Sequence, residues 1–171
     1  FKAGKRTSSI DGGNMNRVFP GDPNGTITEI IGDYFSRTLL PLADYVVDIH
    51  SGGKTLEFVP FAAAHVLDDK EQQARCVAAM EAFNAPYSMM LLELDAAHMY
   101  DTAAENQGKV FVGTEIGGGG SADATSTKIA KRGILNVLMH AGILPGEPER
   151  HSSINVDSHD AGCFITCEHS G

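Results

Sequence analysis

An α/β fold with a largely parallel sheet flanked by helices is predicted, and three observations predict it. Residues 45–49 (YVVDI) and 109–115 (KVFVGTE) are short runs rich in β-branched residues, each leading into a glycine turn. Residues 26–40, 69–84 and 123–140 carry apolar side chains at helical spacing on a polar background. Strands and helices alternate along the chain, the order that builds a sheet from crossover connections.

The elements follow in order. The first 25 residues are rich in Gly, Ser, Asn and Pro and read as loop, with one apolar patch at Val18 and Phe19. Thr26 and Glu29 make a capping-box pattern, a hydroxyl at the cap and a carboxylate three residues on. Ile27, Ile30, Ile31, Tyr34, Phe35 and Leu39 then predict an amphipathic helix over 26–40, ended by Pro41. Residues 45–49 read as a strand. Residues 56–61 (LEFVPF) read as a second extended segment at an edge or bulge, because Pro60 cannot donate to a ladder. Residues 69–84 read as a helix, and 89–94 as a strand or a helix. The strand at 109–115 runs into four glycines, and Ser121 or Asp123 caps a helix through His140 with Ile129, Ile134, Leu135 and Leu138 inside. After Pro145 the chain turns polar, and only 163–167 (CFITC) reads as a further strand. A boundary is therefore expected near residue 146, and no internal repeat is visible.

The 171 residues fit one domain, or one domain and the start of another. With 42% apolar residues and a mean hydropathy of -0.12, they suffice for a core. A formal charge of -9 argues against nucleic-acid or anionic-lipid partners, which need a basic surface. Lys2, Lys5 and Arg6 do not form a useful patch. No apolar run approaches the roughly 20 residues that span a bilayer. Three cysteines are too few for a disulfide framework, which favours a cytoplasmic location. A start at Phe1 rather than Met reads as a piece of something longer.

Functional groups of open α/β sheets gather at the carboxyl ends of strands. His50 and Glu115 stand at two such exits, each followed within two residues by glycine. They suit a metal ligand and a general base, or else a satisfied core histidine and a helix-capping carboxylate. In the amino-terminal loop, Asn16 and Arg17 precede Phe-Pro-Gly. An arginine fork beside an amide matches a carboxylate, though an ordinary surface turn has the same spelling.

In order, the motifs are N-x-N-R-x-F-P-G (14–21), D-x-H-S-G-G (48–53) and G-T-E-x-G (113–117). Together they resemble the succinylglutamate desuccinylase/aspartoacylase family, a zinc amidohydrolase branch of the zinc carboxypeptidase fold. The wording around them is most similar to the ectoine-catabolic deacetylases within it. The resemblance implies a mostly parallel or mixed sheet flanked by helices. It makes residues 1–145 a partial catalytic domain, and 146–171 a linker with the first part of a small C-terminal β domain. It implies one Zn2+ per site with His50 as a ligand, Glu115 as the catalytic carboxylate that activates the zinc-bound water, and Asn16 with Arg17 as the grip on the substrate's carboxylate. The implied substrate is a small acylated amino acid, most closely N-acetyl-2,4-diaminobutyrate, and a homo-oligomer is compatible with it. The family's first two zinc ligands come from an H-x-x-E motif upstream of the N-x-N-R loop. No H-x-x-E occurs here, so two ligands are expected upstream of Phe1. His65 and His98 each open an H-x-x-D, but at positions that match nothing in the family.

Asp48 shares a strand face with His50, by alternation. It suits orienting a ligand or meeting a substrate amino group, or else lies satisfied by backbone amides. Arg6 is a candidate oxyanion donor. His159, Cys163, Cys167 and His169 lack the usual C-x₂-C zinc spacing and read rather as core thiols with flanking histidines. Residues 117–120 are not a phosphate loop, since no G-K-[ST] follows. Two other functions use the same residues: a metallocarboxypeptidase acting on peptides, and a non-catalytic carboxylate-binding module.

Overall fold

The computed structural model describes residues 5–92 and 96–158. Five strands, β1 (Tyr45–His50), β2 (Phe61–His65), β3 (Tyr87–Leu91), β4 (Val110–Glu115) and β5 (Ile154–Ser158), form one sheet in the order β1-β4-β2-β3-β5. β1 runs parallel to β4, and β3 runs parallel to both β2 and β5. The β2–β4 ladder is antiparallel, so the sheet is mixed.

Alternation sorts the strands into two faces. Tyr45, Val47, Val110, Val112, Ala62 and Ala64 point to one side. They pack there under α3 (Lys70–Phe83) and α5 (Ala124–His140), which bring Cys76, Ala79, Phe83, Ile129 and Val137. Gly133 lets these helices touch, because a Cβ there would overlap the buried Phe83 ring. Val46 and Phe111 point to the other side and meet Leu40, Ala104 and Tyr100. These come from α2 (Leu40–Leu42) and α4 (Tyr100–Glu105).

The capping box is present at α1 (Ile27–Tyr34), where Thr26 Oγ1 accepts from Glu29 N–H and Glu29 returns the bond to Thr26 N–H. A π-type turn over Phe35–Leu39 then leads into α2. The helical path therefore passes Pro41 before stopping, and the widened turn accommodates a proline that can close no bond to the preceding turn. Thr28, Gly32, Asp33 and Ser36 face inward, whereas Ile27, Ile30, Ile31 and Tyr34 are partly exposed. The apolar stripe expected to seat this helix thus lies largely on its outer side.

Three further differences have physical causes. Of the extended segment expected at 56–61, only Glu57 makes a bridge, to Gly118, and the strand begins at Phe61, just past Pro60. Alanines disguise its remainder, FAAAH, as a weak strand former. Residues 87–91 resolve the choice at 89–94 in favour of strand over the described positions. β5 extends the sheet beyond residue 146 with a polar sequence, as an exposed edge strand can. Residues 163–167 lie outside the described residues. Among the described residues no helix is long and apolar enough to cross a membrane.

Candidate functional site

β1 and β4 run side by side with His50 opposite Glu115, Asp48 opposite Gly113 and Val46 opposite Phe111. All six therefore share one sheet face, and the two functional side chains stand at its carboxyl edge. The register is held by Thr114, which points to the other face. Its hydroxyl donates to Asp48 O at 3.0 Å and accepts from His50 N–H at 3.2 Å. Beyond the strands the two glycine loops are knitted together. Gly52 N–H donates to Gly117 O at 3.0 Å, Gly120 N–H to Gly53 O at 2.6 Å, and Gly119 N–H to Leu56 O at 2.9 Å. A Cβ on Gly52 or Gly118 would overlap the Leu56 carbonyl, so side chains larger than hydrogen are shut out there.

His50 Nε2–H donates to Asp48 Oδ2 at 2.9 Å, with the imidazole 42% exposed and the carboxylate 25%. The Asp48 bond raises the imidazole pKa above its usual value against the opposing effect of burial, and the charges of Asp48, Glu115 and Asp101 add to the rise. The Glu115 carboxyl is also raised. Burial dominates, Asp48 adds to it, and His50 and the Arg6 guanidinium oppose it. Glu115 Oε2 is sealed from solvent and has no hydrogen-bond partner among the described residues. A buried carboxylate oxygen in that state is a proton acceptor waiting for a donor.

The remaining candidates are distributed unevenly. Asn16 sits in a 3-10 turn, Met15–Arg17, capped by Asn14, and its Oδ1 accepts from Tyr100 N–H at 2.7 Å. The exposed Arg17 donates to the Asn16 carbonyl and lines a hollow of about 320 Å³ with Pro20, Asp22, Glu29 and His98. No hydrogen bond among the described residues joins it to the His50 group. Arg6 lies within electrostatic reach of Glu115. His65 is buried against Glu105, Nδ1 donating to Oε1 at 2.9 Å, and its ring stacks on Phe111. His98 Nδ1 donates to the Phe19 carbonyl at 2.9 Å. Among the described residues neither H-x-x-D spelling gathers a metal donor set. The tail residues His159, Cys163, Cys167 and His169 lie outside the described residues.

Sequence reasoning missed Thr114 and Tyr100. Thr114 reads there as a strand residue, and no local pattern shows that its hydroxyl braces the neighbouring strand. Tyr100 is brought to the site only by tertiary packing. For zinc, an accessible imidazole and, beside it, a buried carboxylate oxygen unpartnered among the described residues are suitable chemistry, a ligand and a base. Among the described residues no three His, Cys, Asp or Glu side chains converge, so they supply only part of a donor set.

The family model of the succinylglutamate desuccinylase/aspartoacylase catalytic domain matches residues 1–141. The chain is 54% identical to the N-alpha-acetyl-L-2,4-diaminobutyric acid deacetylase of Halomonas elongata, over 99% of its own length and 50% of that protein's. Among solved structures, it superposes with a TM-score of 0.93 on a product-bound structure of the ectoine utilization protein EutE (DoeB) from Ruegeria pomeroyi. That match is 64% identical and covers 96% of this chain and 50% of the other. A succinylglutamate desuccinylase from Silicibacter sp. TM1040 also gives a TM-score of 0.93, at 60% identity over 99% of this chain and 51% of that one. The chain thus spans about half the length of these relatives.

Proposed function

Because the chain belongs to the succinylglutamate desuccinylase/aspartoacylase family, we propose that it carries the water-activating half of a zinc-dependent amidohydrolase that deacetylates N-acetyl-2,4-diaminobutyrate. The observation that carries this reading is the pairing of His50 and Glu115 across β1 and β4, with Glu115 Oε2 buried and, among the described residues, unpartnered. The identity to the Halomonas elongata deacetylase supports the substrate. His50 supplies one ligand, and two more come from sequence outside these 171 residues. Zinc, when bound, supplies a Lewis acid for the amide carbonyl and a water of lowered pKa.

The chain's own residues do the rest. Glu115 takes a proton from the attacking water and passes it to the leaving amine. Water oxygen joins the acyl carbon, the C–N bond breaks, and acetate and the free amino acid result. Asp48 holds the His50 ring and presents a carboxylate to the substrate's second amino group. Arg17 and the amide of Asn16 grip the substrate's own carboxylate, which orients the scissile amide.

The test is turnover of N-acetyl-L-2,4-diaminobutyrate by the full-length protein, with its zinc content measured. Glu115→Gln should abolish turnover and leave zinc bound. A variant that retains activity would overturn the role of Glu115. Faster turnover of peptides would indicate a carboxypeptidase, and a zinc-free, inactive full-length protein a binding module.

A further inference from the structure

The ladders put a third side chain in line with His50 and Glu115. Glu115 is in register with His50 across the parallel β1–β4 pair and with Phe61 across the antiparallel β4–β2 pair. Directly opposed residues of antiparallel strands point to the same face, with Cβ atoms about 4.5–5.5 Å apart. Phe61 therefore flanks Glu115 on the side away from His50. The His65 ring confirms the parity, because it stacks on Phe111 at a centroid distance of 6.3 Å. Residues 61, 63 and 65 of β2 thus share the face that carries Phe111, Gly113 and Glu115.

Phe61 is held from outside its own strand. Its ring meets Phe58 edge-on, with centroids 6.3 Å apart. Phe58 N–H donates to Gly117 O at 3.4 Å and Glu57 bridges Gly118, so the aromatic pair is tied to the loop that follows Glu115. Phe61 keeps part of its surface open, whereas the core rings Phe83 and Phe111 are sealed. The next row on this face has only Gly113 and Ala63 on β4 and β2, which makes Phe61 the first bulky group beyond Glu115 in that direction.

The two sides of Glu115 differ in chemistry. On one side stand the His50 imidazole and the Asp48 carboxylate, joined at 2.9 Å. On the other, Phe61 offers hydrocarbon. An N-acetylated diaminobutyrate is divided in the same way: its amino-acid half carries a carboxylate and an amino group, and its one apolar terminus is the acyl methyl. We infer that Phe61 is a specificity-determining residue whose ring closes the acyl side of the site and limits the group removed to about the size of acetyl. A longer acyl chain has to displace a ring that Phe58 and the glycine loop hold in place. The inference rests on the function proposed above.

Two ratios of kcat/KM test it in the full-length protein. The first compares N-acetyl- with N-butyryl-L-2,4-diaminobutyrate, which differ only at the acyl end. Wild type should favour acetyl by about a hundredfold, since each methylene that a closed pocket refuses is worth about 10–200-fold. Phe61→Ala should cut that preference by about tenfold or more, and Phe61→Leu by about threefold. The second ratio compares N-acetyl-L-2,4-diaminobutyrate with N-acetyl-L-ornithine, which differ only in the amino-acid half, and it should stay within about twofold in both variants. A merely structural role for Phe61 would lower all three substrates together and move neither ratio. Phe61→Leu keeps an apolar side chain on the strand, so it reads the acyl ratio even where Phe61→Ala fails to fold. A wild type that takes butyryl as readily as acetyl, an acyl ratio that the folded variants leave unmoved, or an ornithine ratio that shifts equally would overturn the inference and leave the deacetylase reading intact. A full-length wild type that cleaves neither acylated diaminobutyrate would overturn both.

Discussion

Replacing Glu115 by Gln should make the metal-free chain more stable at neutral pH while removing its capacity to accept a proton. In the wild type one carboxylate oxygen is buried without a partner among the described residues, and Asp48 contributes a second negative charge on the same face. An unsatisfied buried charged group costs about 1–3 kcal/mol or more. Only one oxygen is sealed and a Gln amide is itself polar, so the lower end applies, about 1 kcal/mol. For a chain of this size that corresponds to a Tm increase of about 2–4 °C. The dependence on pH carries the sharper information. The folded-state pKa of Glu115 is raised above the usual 4.5, so the native state holds the proton more tightly than the unfolded chain. Wild-type stability therefore declines as pH rises from the unfolded pKa through the folded one and is level above it. The advantage of Glu115→Gln should be small below pH 4, open across that window and persist at pH 7. Thermal unfolding of both proteins in chelator between pH 4 and 8 reads this directly. A variant that is equally stable or less stable at pH 7, or whose advantage does not change with pH, would refute the claim that burial sets the Glu115 pKa.

Three other outcomes follow from geometry already described. In metal-free protein the His50 ring should titrate above its ordinary value by NMR and below the wild type in Asp48→Asn. The associated stability is full below the unfolded histidine pKa and lost as pH rises through the folded one. Thr114→Val should cost about 1–3 kcal/mol in denaturant unfolding, because Asp48 O and His50 N–H each lose a partner. Gly133→Ala should lower stability although alanine is the better helix former. Overlap with the immobile Phe83 ring costs about 1–3 kcal/mol against about 1 kcal/mol of propensity gained.

The legibility of the chain follows the physics of each element. β1 and β4 are central to the site and carry β-branched side chains, so the period of two, and with it the shared face of Asp48 and His50, could be read directly. β2 is buried but built largely of alanine, and β5 is polar because it lies at an edge, so neither carries a strand signature. α4 is six residues long, too short for a helical period to show, and its cap comes from residue 16. The helix after Thr26 illustrates the converse. Its start was readable, but amphipathicity alone does not say which side faces the core, and here small and polar residues do. In the site, His50 and Glu115 were legible as strand exits. The bracing by Thr114 and the approach of Tyr100 and Arg6 depend on contacts over long sequence separation that no local pattern encodes.

The knitting of the two glycine loops has a consequence for how such a site can diversify. The turns after β1 and β4 are bonded to each other at several backbone points and leave no space for a Cβ at Gly52 or Gly118. The histidine and the glutamate consequently belong to one inherited rigid unit whose internal spacing few substitutions can alter without dismantling it. The wall formed by residues 14–19 and 98–100 joins that unit through side chains, which can be exchanged one at a time. Substitutions in that wall can thus accumulate without altering the spacing of His50 and Glu115.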